Sequence, residues 1–174
     1  MRRYFLILLA AVSLAAGCGY STRSLLPAHL KTLHIEPIKN EIDFTVEGQR
    51  SLYIPLLEVK LRNAIIDRYQ FDGNLRIAEA GTADLVLKAE LREYHRAELR
   101  ATDSDETEEY RIYIVIDMAL YDTRDNELRW EEKGFTGEAT FFTTGPRVTS
   151  EDSAINEAIE DLARRIVERT IEDW

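Results

Sequence analysis

Two long stretches of this chain alternate apolar and polar residues, and they constrain its fold more than any other feature. From Asp84 to Ala97, Leu85, Leu87, Ala89 and Leu91 fall on one side, and Val86, Lys88, Glu90, Arg92, Tyr94 and Arg96 on the other. From Tyr110 to Tyr121, Ile112, Ile114, Ile116, Met118 and Leu120 fall on one side, and Arg111, Tyr113, Val115, Asp117 and Tyr121 on the other. A period of two is that of a strand with one face buried. Thr102–Glu109 lies between them, with acids at 103, 105, 106, 108 and 109, and forms the tip of a hairpin. Paired residues of a hairpin share a face, and a slip of one residue turns every side chain over. The apolar positions are odd in the first strand and even in the second, so paired numbers must sum to an odd value. A sum of ~207 suits the loop and sets Tyr94 opposite Tyr113 and Arg96 opposite Arg111 on the outer face.

The remaining segments supply a second layer. Leu30–Ile38 alternates, with Leu33 and Ile35 on one side, and Pro37 ends it or places it at an edge. Asn40–Arg50 is a polar loop, and Ser51–Tyr69 is helical, with Leu57, Leu61, Ala64 and Ile65 at helical spacing and Ser51 as its cap. Phe71–Asn74 turns the chain into a short strand, Leu75–Ala78. Leu128–Phe142 is a further strand whose apolar parity changes midway, from Leu128 and Trp130 to Phe135, Ala139 and Phe141, which predicts a bulge around Lys133-Gly134. Glu151–Ile171 is a second helix, with Ile155, Ala158, Ile159, Leu162, Ile166 and Thr170 as its apolar stripe and Thr149 with Asp152 as a capping pair. The expected fold is α+β: two amphipathic helices packed on one face of a mainly antiparallel, four- to five-stranded sheet.

Residues 1–17 do not belong to that domain. Arg2 and Arg3 precede an apolar run, Tyr4–Ala16, that is too short to span a bilayer and has the form of a signal peptide. The run ends in Leu14-Ala15-Ala16-Gly17-Cys18, which resembles a bacterial lipobox, although Ala15 stands where Leu is usual. Cys18 is the only cysteine of the chain. The motif implies diacylglyceryl and acyl groups on Cys18, and two or more acyl chains anchor a protein stably. Residues 18–29 then form a lipidated tether and residues 30–174 a single domain. Gly19 after the cysteine resembles outer-membrane rather than inner-membrane lipoproteins.

Composition narrows the function. The chain carries 22 Lys and Arg against 32 Asp and Glu, a net charge of −10, which disfavours a nucleic-acid ligand. Its 45% apolar content excludes general disorder. The sequence contains no GxSxG, HExxH, P-loop or GxGxxG motif. His29, His34 and His95 share no ligand spacing, and the acidic tip lacks the full ligand set of a calcium loop. We therefore expect a non-enzyme with no metal site and no cofactor beyond the lipid on Cys18. The candidate interaction surface is the outer sheet face, with Lys88, Arg92, Tyr94, Arg96, Arg111 and Tyr113. One reading of it is ordinary cross-strand pairing with Glu90 and Asp117. The other is a surface for a protein or for anionic lipid headgroups, since Tyr and Arg are enriched at interface centres.

Taken in order, several motifs resemble the LptE family of lipopolysaccharide-assembly lipoproteins. They are Cys18-Gly19-Tyr20, Leu26-Pro27, Leu33-His34-Ile35-Glu36-Pro37-Ile38 with Asn40, Ala83-Asp84-Leu85-Val86-Leu87, Tyr110-Arg111, Leu120-Tyr121-Asp122 and Leu128-Arg129-Trp130, followed by an Ala-rich final helix. The resemblance implies a two-helix, four-stranded domain on the periplasmic side of the outer membrane. It also implies a plug and chaperone role within the LptD β-barrel, with lipopolysaccharide as a second candidate partner and Arg96 and Arg111 as candidate contacts. The alternative resemblance is to periplasmic lipoproteins of the LpoB and CsgG type, which implies a cell-wall synthase activator or a secretion component.

Overall fold

The computed structural model describes residues 26–43, 54–101 and 106–172. Cys18, the signal peptide, most of the tether, Ser51 and the acidic positions 103 and 105 lie outside them. The elements run β1 (Thr32–Ile35), β2 (Lys39–Asn40), α1 (Leu57–Asp72), β3 (Arg76–Ile77), β4 (Leu85–Ala101), β5 (Thr107–Asp122), β6 (Glu127–Phe142) and α2 (Glu151–Glu172).

The sheet is mixed and has six strands, in the order β3-β1-β4-β5-β6 with β2 also beside β4. This corrects the expectation of a mainly antiparallel sheet of four or five strands. Only β4, β5 and β6 form an antiparallel meander. β1 runs parallel to both β3 and β4, and β2 parallel to β4. Parallel neighbours need a long crossover, and α1 supplies it between β1 and β3. The neighbour of β4 on this side is one strand broken in two: Leu33 pairs with Leu85 and Lys39 with Glu90, and Glu36-Pro37-Ile38 lies between. Pro37 lacks the N–H that a continuous ladder would use.

The alternating residues do build the core. Leu33, Ile35, Leu85, Leu87, Leu91, Ile112, Ile114, Ile116 and Leu120 are buried beneath Leu57, Leu61, Ile65, Ile155, Leu162 and Ile166 of the two helices. α2 lies over β5 and β6 and beside α1. α1 is tied to β1 by the Arg62 guanidinium, which donates to the Ile35 carbonyl at 2.8 Å. At Gly137 of β6, α2 packs so closely that a Cβ there would stand 2.5 Å from the Ala158 carbonyl oxygen and 2.6 Å from Leu162 Cβ.

The helix boundaries differ from the sequence expectation. α1 starts at Leu57, because Pro55 lies in the turn before it and Leu56 takes the left-handed conformation, φ 60°. Gly73, φ 78°, closes α1 by donating its N–H to the Tyr69 carbonyl at 3.0 Å. At α2, Ser150 is the cap and not Thr149: its hydroxyl accepts the Ser153 N–H at 3.1 Å.

Candidate interaction face

The register of β4 with β5 is the foundation of the site. From Leu85 paired with Asp122 to Leu91 paired with Ile116, it follows the sum read from the sequence. Then Glu93 pairs with Val115, so Arg92 is an extra residue and the strand bulges. One inserted residue reverses the faces beyond it. Tyr94 therefore pairs with Ile114 and Arg96 with Ile112, both on the inner side, while His95 faces Tyr113 and Ala97 faces Arg111 on the outer side. The expected pairs Tyr94 with Tyr113 and Arg96 with Arg111 do not form.

Tyr94 and Arg96 instead receive the start of α2. Tyr94 is fully buried. Its hydroxyl donates to Glu151 Oε1 at 3.0 Å, and Arg96 Nη1 donates to Oε2 of the same carboxylate at 2.9 Å. Burial, with the Glu151 charge beside it, raises the Tyr94 hydroxyl well above its ordinary range. The Arg96 guanidinium lies 4.6 Å from the centre of the Tyr110 ring, which stacks on Phe141. Both residues thus serve the joint between the hairpin and α2.

Lys88, Arg92, Arg111 and Tyr113 do share the outer face, and the cations on it are compensated. Lys88 Nζ lies 3.6 Å from Glu36 and 5.1 Å from the Tyr121 ring centre. Arg92 lies between Glu90, at 3.4 Å, and Asp117, at 3.2 Å. Arg111 reaches Glu138 at 3.7 Å. Tyr113 stacks on His95 with ring centres 4.7 Å apart. Partly exposed pairs of this kind contribute little stability, and they leave the face almost neutral. Ala119 pairs with Lys88 on one side and Glu131 on the other. The small residue leaves an open depression ringed by Lys88, Arg92, Asp117, Tyr121, Glu131 and Lys133.

The bulge at Lys133-Gly134 forms where the parity change placed it. Ile116 pairs with Phe135 and Met118 with Glu132, so Lys133 and Gly134 stand against Asp117 alone. Gly134, φ 65°, donates its N–H to Asp117 Oδ1 at 2.9 Å. A second bulge at Arg129 is new. It turns Leu128 outward, 45% exposed, and leaves Trp130 inside. Arg129 Nη2 then donates to the buried Asp122 carboxylate at 2.6 Å. Burial alone would raise that carboxyl, but Arg129 and the Arg124 N–H outweigh it and hold it below the usual carboxylate range. Among the described residues no group of His, Cys, Asp and Glu could hold a metal ion.

The fold and this face define an α+β domain built around broad surfaces rather than around a cleft of converging reactive groups. Solved proteins share the architecture at low sequence identity. CT253 of Chlamydia trachomatis is 16% identical with a TM-score of 0.53, over 80% of this chain and 95% of that one. XCC0632 of Xanthomonas campestris is 12% identical with a TM-score of 0.56, over 80% and 83%. The PelC dodecamer subunit of Paraburkholderia phytofirmans is 14% identical with a TM-score of 0.50, over 88% and 96%. These likenesses concern the fold alone. No curated protein matches the sequence. The family model for lipopolysaccharide assembly, LptE, matches residues 30–170, and the chain belongs to that family.

Proposed function

We propose that this protein is a lipid-anchored lipoprotein on the periplasmic side of the outer membrane, where it forms a plug and chaperone complex with an LptD-like β-barrel and assists lipopolysaccharide assembly. The observation that carries the reading is the family match over residues 30–170. The signal-like residues 1–17 and Cys18 support the anchor, and in this reading Cys18 bears the acyl groups. Among the described residues no helix is long and apolar enough to cross a membrane. The role asked of the protein is to hold a partner, with no bond made or broken.

Any lipopolysaccharide contact on the outer face would fall to Lys88, Arg92, Arg111 and Tyr113. Tyr94 and Arg96 turn the other way. An anionic ligand there must displace Glu36, Glu90, Asp117 and Glu138 from their cations, which makes a protein partner the better match for that face.

Affinity purification of the tagged full chain from detergent-solubilised envelopes tests the reading. Recovery of a large outer-membrane β-barrel supports it, and recovery of a peptidoglycan synthase in its place overturns it in favour of the LpoB-like alternative. Radioactive palmitate should label the protein and fail to label Cys18→Ala; labelling that persists in the variant removes the anchor.

A further inference from the structure

The two faces of the domain treat charge differently. On the sheet side, Lys88, Arg92 and Arg111 each have a carboxylate partner. On the helix side a groove runs between α1 and α2, lined by Ala64, Asp67, Arg68, Phe71, Glu160 and Ala163. Among the described residues Asp67 and Glu160 have no cationic partner, and both are exposed. Phe71 leaves 82% of its surface open, the largest exposure of any large apolar residue described. The Arg68 guanidinium lies 5.4 Å from the centre of that ring, and its Nε is shielded from solvent without an acceptor. The groove therefore offers an uncovered aromatic wall, a floor of two alanines and two free carboxylates.

We infer that this groove docks a segment of a protein partner that presents a bulky apolar side chain next to a Lys or Arg. The apolar group covers Phe71 and fills the space over Ala64 and Ala163. The cation sits between Asp67 and Glu160, whose carboxylates are both exposed. A phosphorylated lipid headgroup would meet both carboxylates with its own charge. The inference deepens the proposed function, because it names the face at which the protein partner is held.

The test is photo-crosslinking in cells, using the full chain with p-benzoylphenylalanine at position 71 and, as a control, at position 113 on the sheet face. Residue 71 is exposed enough that its replacement leaves the fold intact. The expected result is an adduct at 71 with a protein whose crosslinked peptide, mapped by mass spectrometry, carries Lys or Arg within a few residues. Asp67→Lys with Glu160→Lys should cut that yield about tenfold, and Asp67→Asn with Glu160→Gln should cut it less. An adduct with lipid only, an adduct of twice the chain's mass, a peptide without a cation, a yield indifferent to the charge changes, or no adduct would each overturn the inference. Its failure is separable from that of the proposed function. A barrel recovered by affinity purification with no adduct at 71 removes the groove alone, and a mapped partner that is not a barrel keeps the groove and removes the barrel.

Discussion

Tyr69 of α1 and Thr170 of α2, 101 positions apart, share a buried hydrogen bond of 2.6 Å between the two helices. Thr170 Oγ1 also donates to the Ile166 carbonyl at 2.8 Å, so the Tyr69 hydroxyl is the donor between them. The pair is asymmetric to substitution. Tyr69→Phe removes a donor and leaves the threonine its own acceptor, at a cost of about 1 kcal/mol. Thr170→Val strands the tyrosine hydroxyl in the core and costs about 2–3 kcal/mol. Denaturant midpoints of the two variants check the order, and a Tyr69→Phe cost exceeding that of Thr170→Val would contradict it.

Arg96 and Arg111 look equivalent in the sequence and lie on opposite sides of the sheet. Arg96→Asp should lower stability by about 1–2 kcal/mol, because it sets a second carboxylate against Glu151 beside the buried Tyr94 hydroxyl. Arg111→Asp breaks only its 3.7 Å pair with Glu138 and should change stability by about 0.5 kcal/mol or less. Equal losses in thermal unfolding would argue against the face reversal at Arg92. A lipopolysaccharide-binding assay with Arg111→Asp therefore probes the outer face without a folding artefact.

Gly137→Ala tests the contact between α2 and β6. The added methyl meets the backbone oxygen of Ala158 and the side chain of Leu162, and backbone cannot move aside as a flexible side chain can. We expect a loss of about 2–3 kcal/mol. Gly145→Ala, at a loop position with open space around it, should show only the smaller strain of its positive φ.

Acid should weaken the fold through Asp84 and Asp122. Asp84 Oδ2 accepts the Lys31 N–H at 2.9 Å, the Thr32 N–H at 3.0 Å and the Thr32 hydroxyl at 2.8 Å, which ties the start of β1 to β4. The Lys31 N–H foremost, then Thr32, hold that carboxyl below its ordinary value against its partial burial. Both carboxyls thus have depressed folded-state values. Their contribution is complete above the unfolded value of about 3.9 and is lost as pH falls through the lower folded values. Stability measured between neutral pH and pH 3 should decline at the acid end. Asp122→Asn should cost about 2–3 kcal/mol at pH 7 and show a shallower acid decline. An unchanged slope in both Asp84→Asn and Asp122→Asn would assign the acid lability elsewhere.

The inner face of the meander is legible in the sequence because every core position of β5 obeys one parity, from Ile112 to Leu120. The bulge at Lys133-Gly134 is legible too, since apolar residues mark both sides of the switch. The bulge at Arg92 carries a fainter mark. The odd series of apolar residues is interrupted after Leu91 by Glu93 and His95 and resumes at Ala97 and Leu99, so that between them Tyr94 alone signals the reversal. Tyrosine suits either face of a sheet, so the mark does not decide. Lys39-Asn40 has no pattern from which to read a strand, and its pairing arises from the neighbouring β4. The partners of Lys88 and Arg111 depend on strand order, which brings Glu36 of the β1–β2 segment and Glu138 of β6 alongside. The Ala64–Ala163 groove likewise depends on how two helices lie together.

The parallel pairing of β1 with β4 also orders events during folding. Leu33 meets Leu85 across a crossover containing all of α1, whereas β4, β5 and β6 follow one another in the chain with only a few residues between them. Closing the longer loop carries the greater entropic cost, so contacts within the meander are favoured early and β1 is added to a template already formed. The strand nearest the proposed anchor is then placed after the meander, and it depends on residues synthesised well after it.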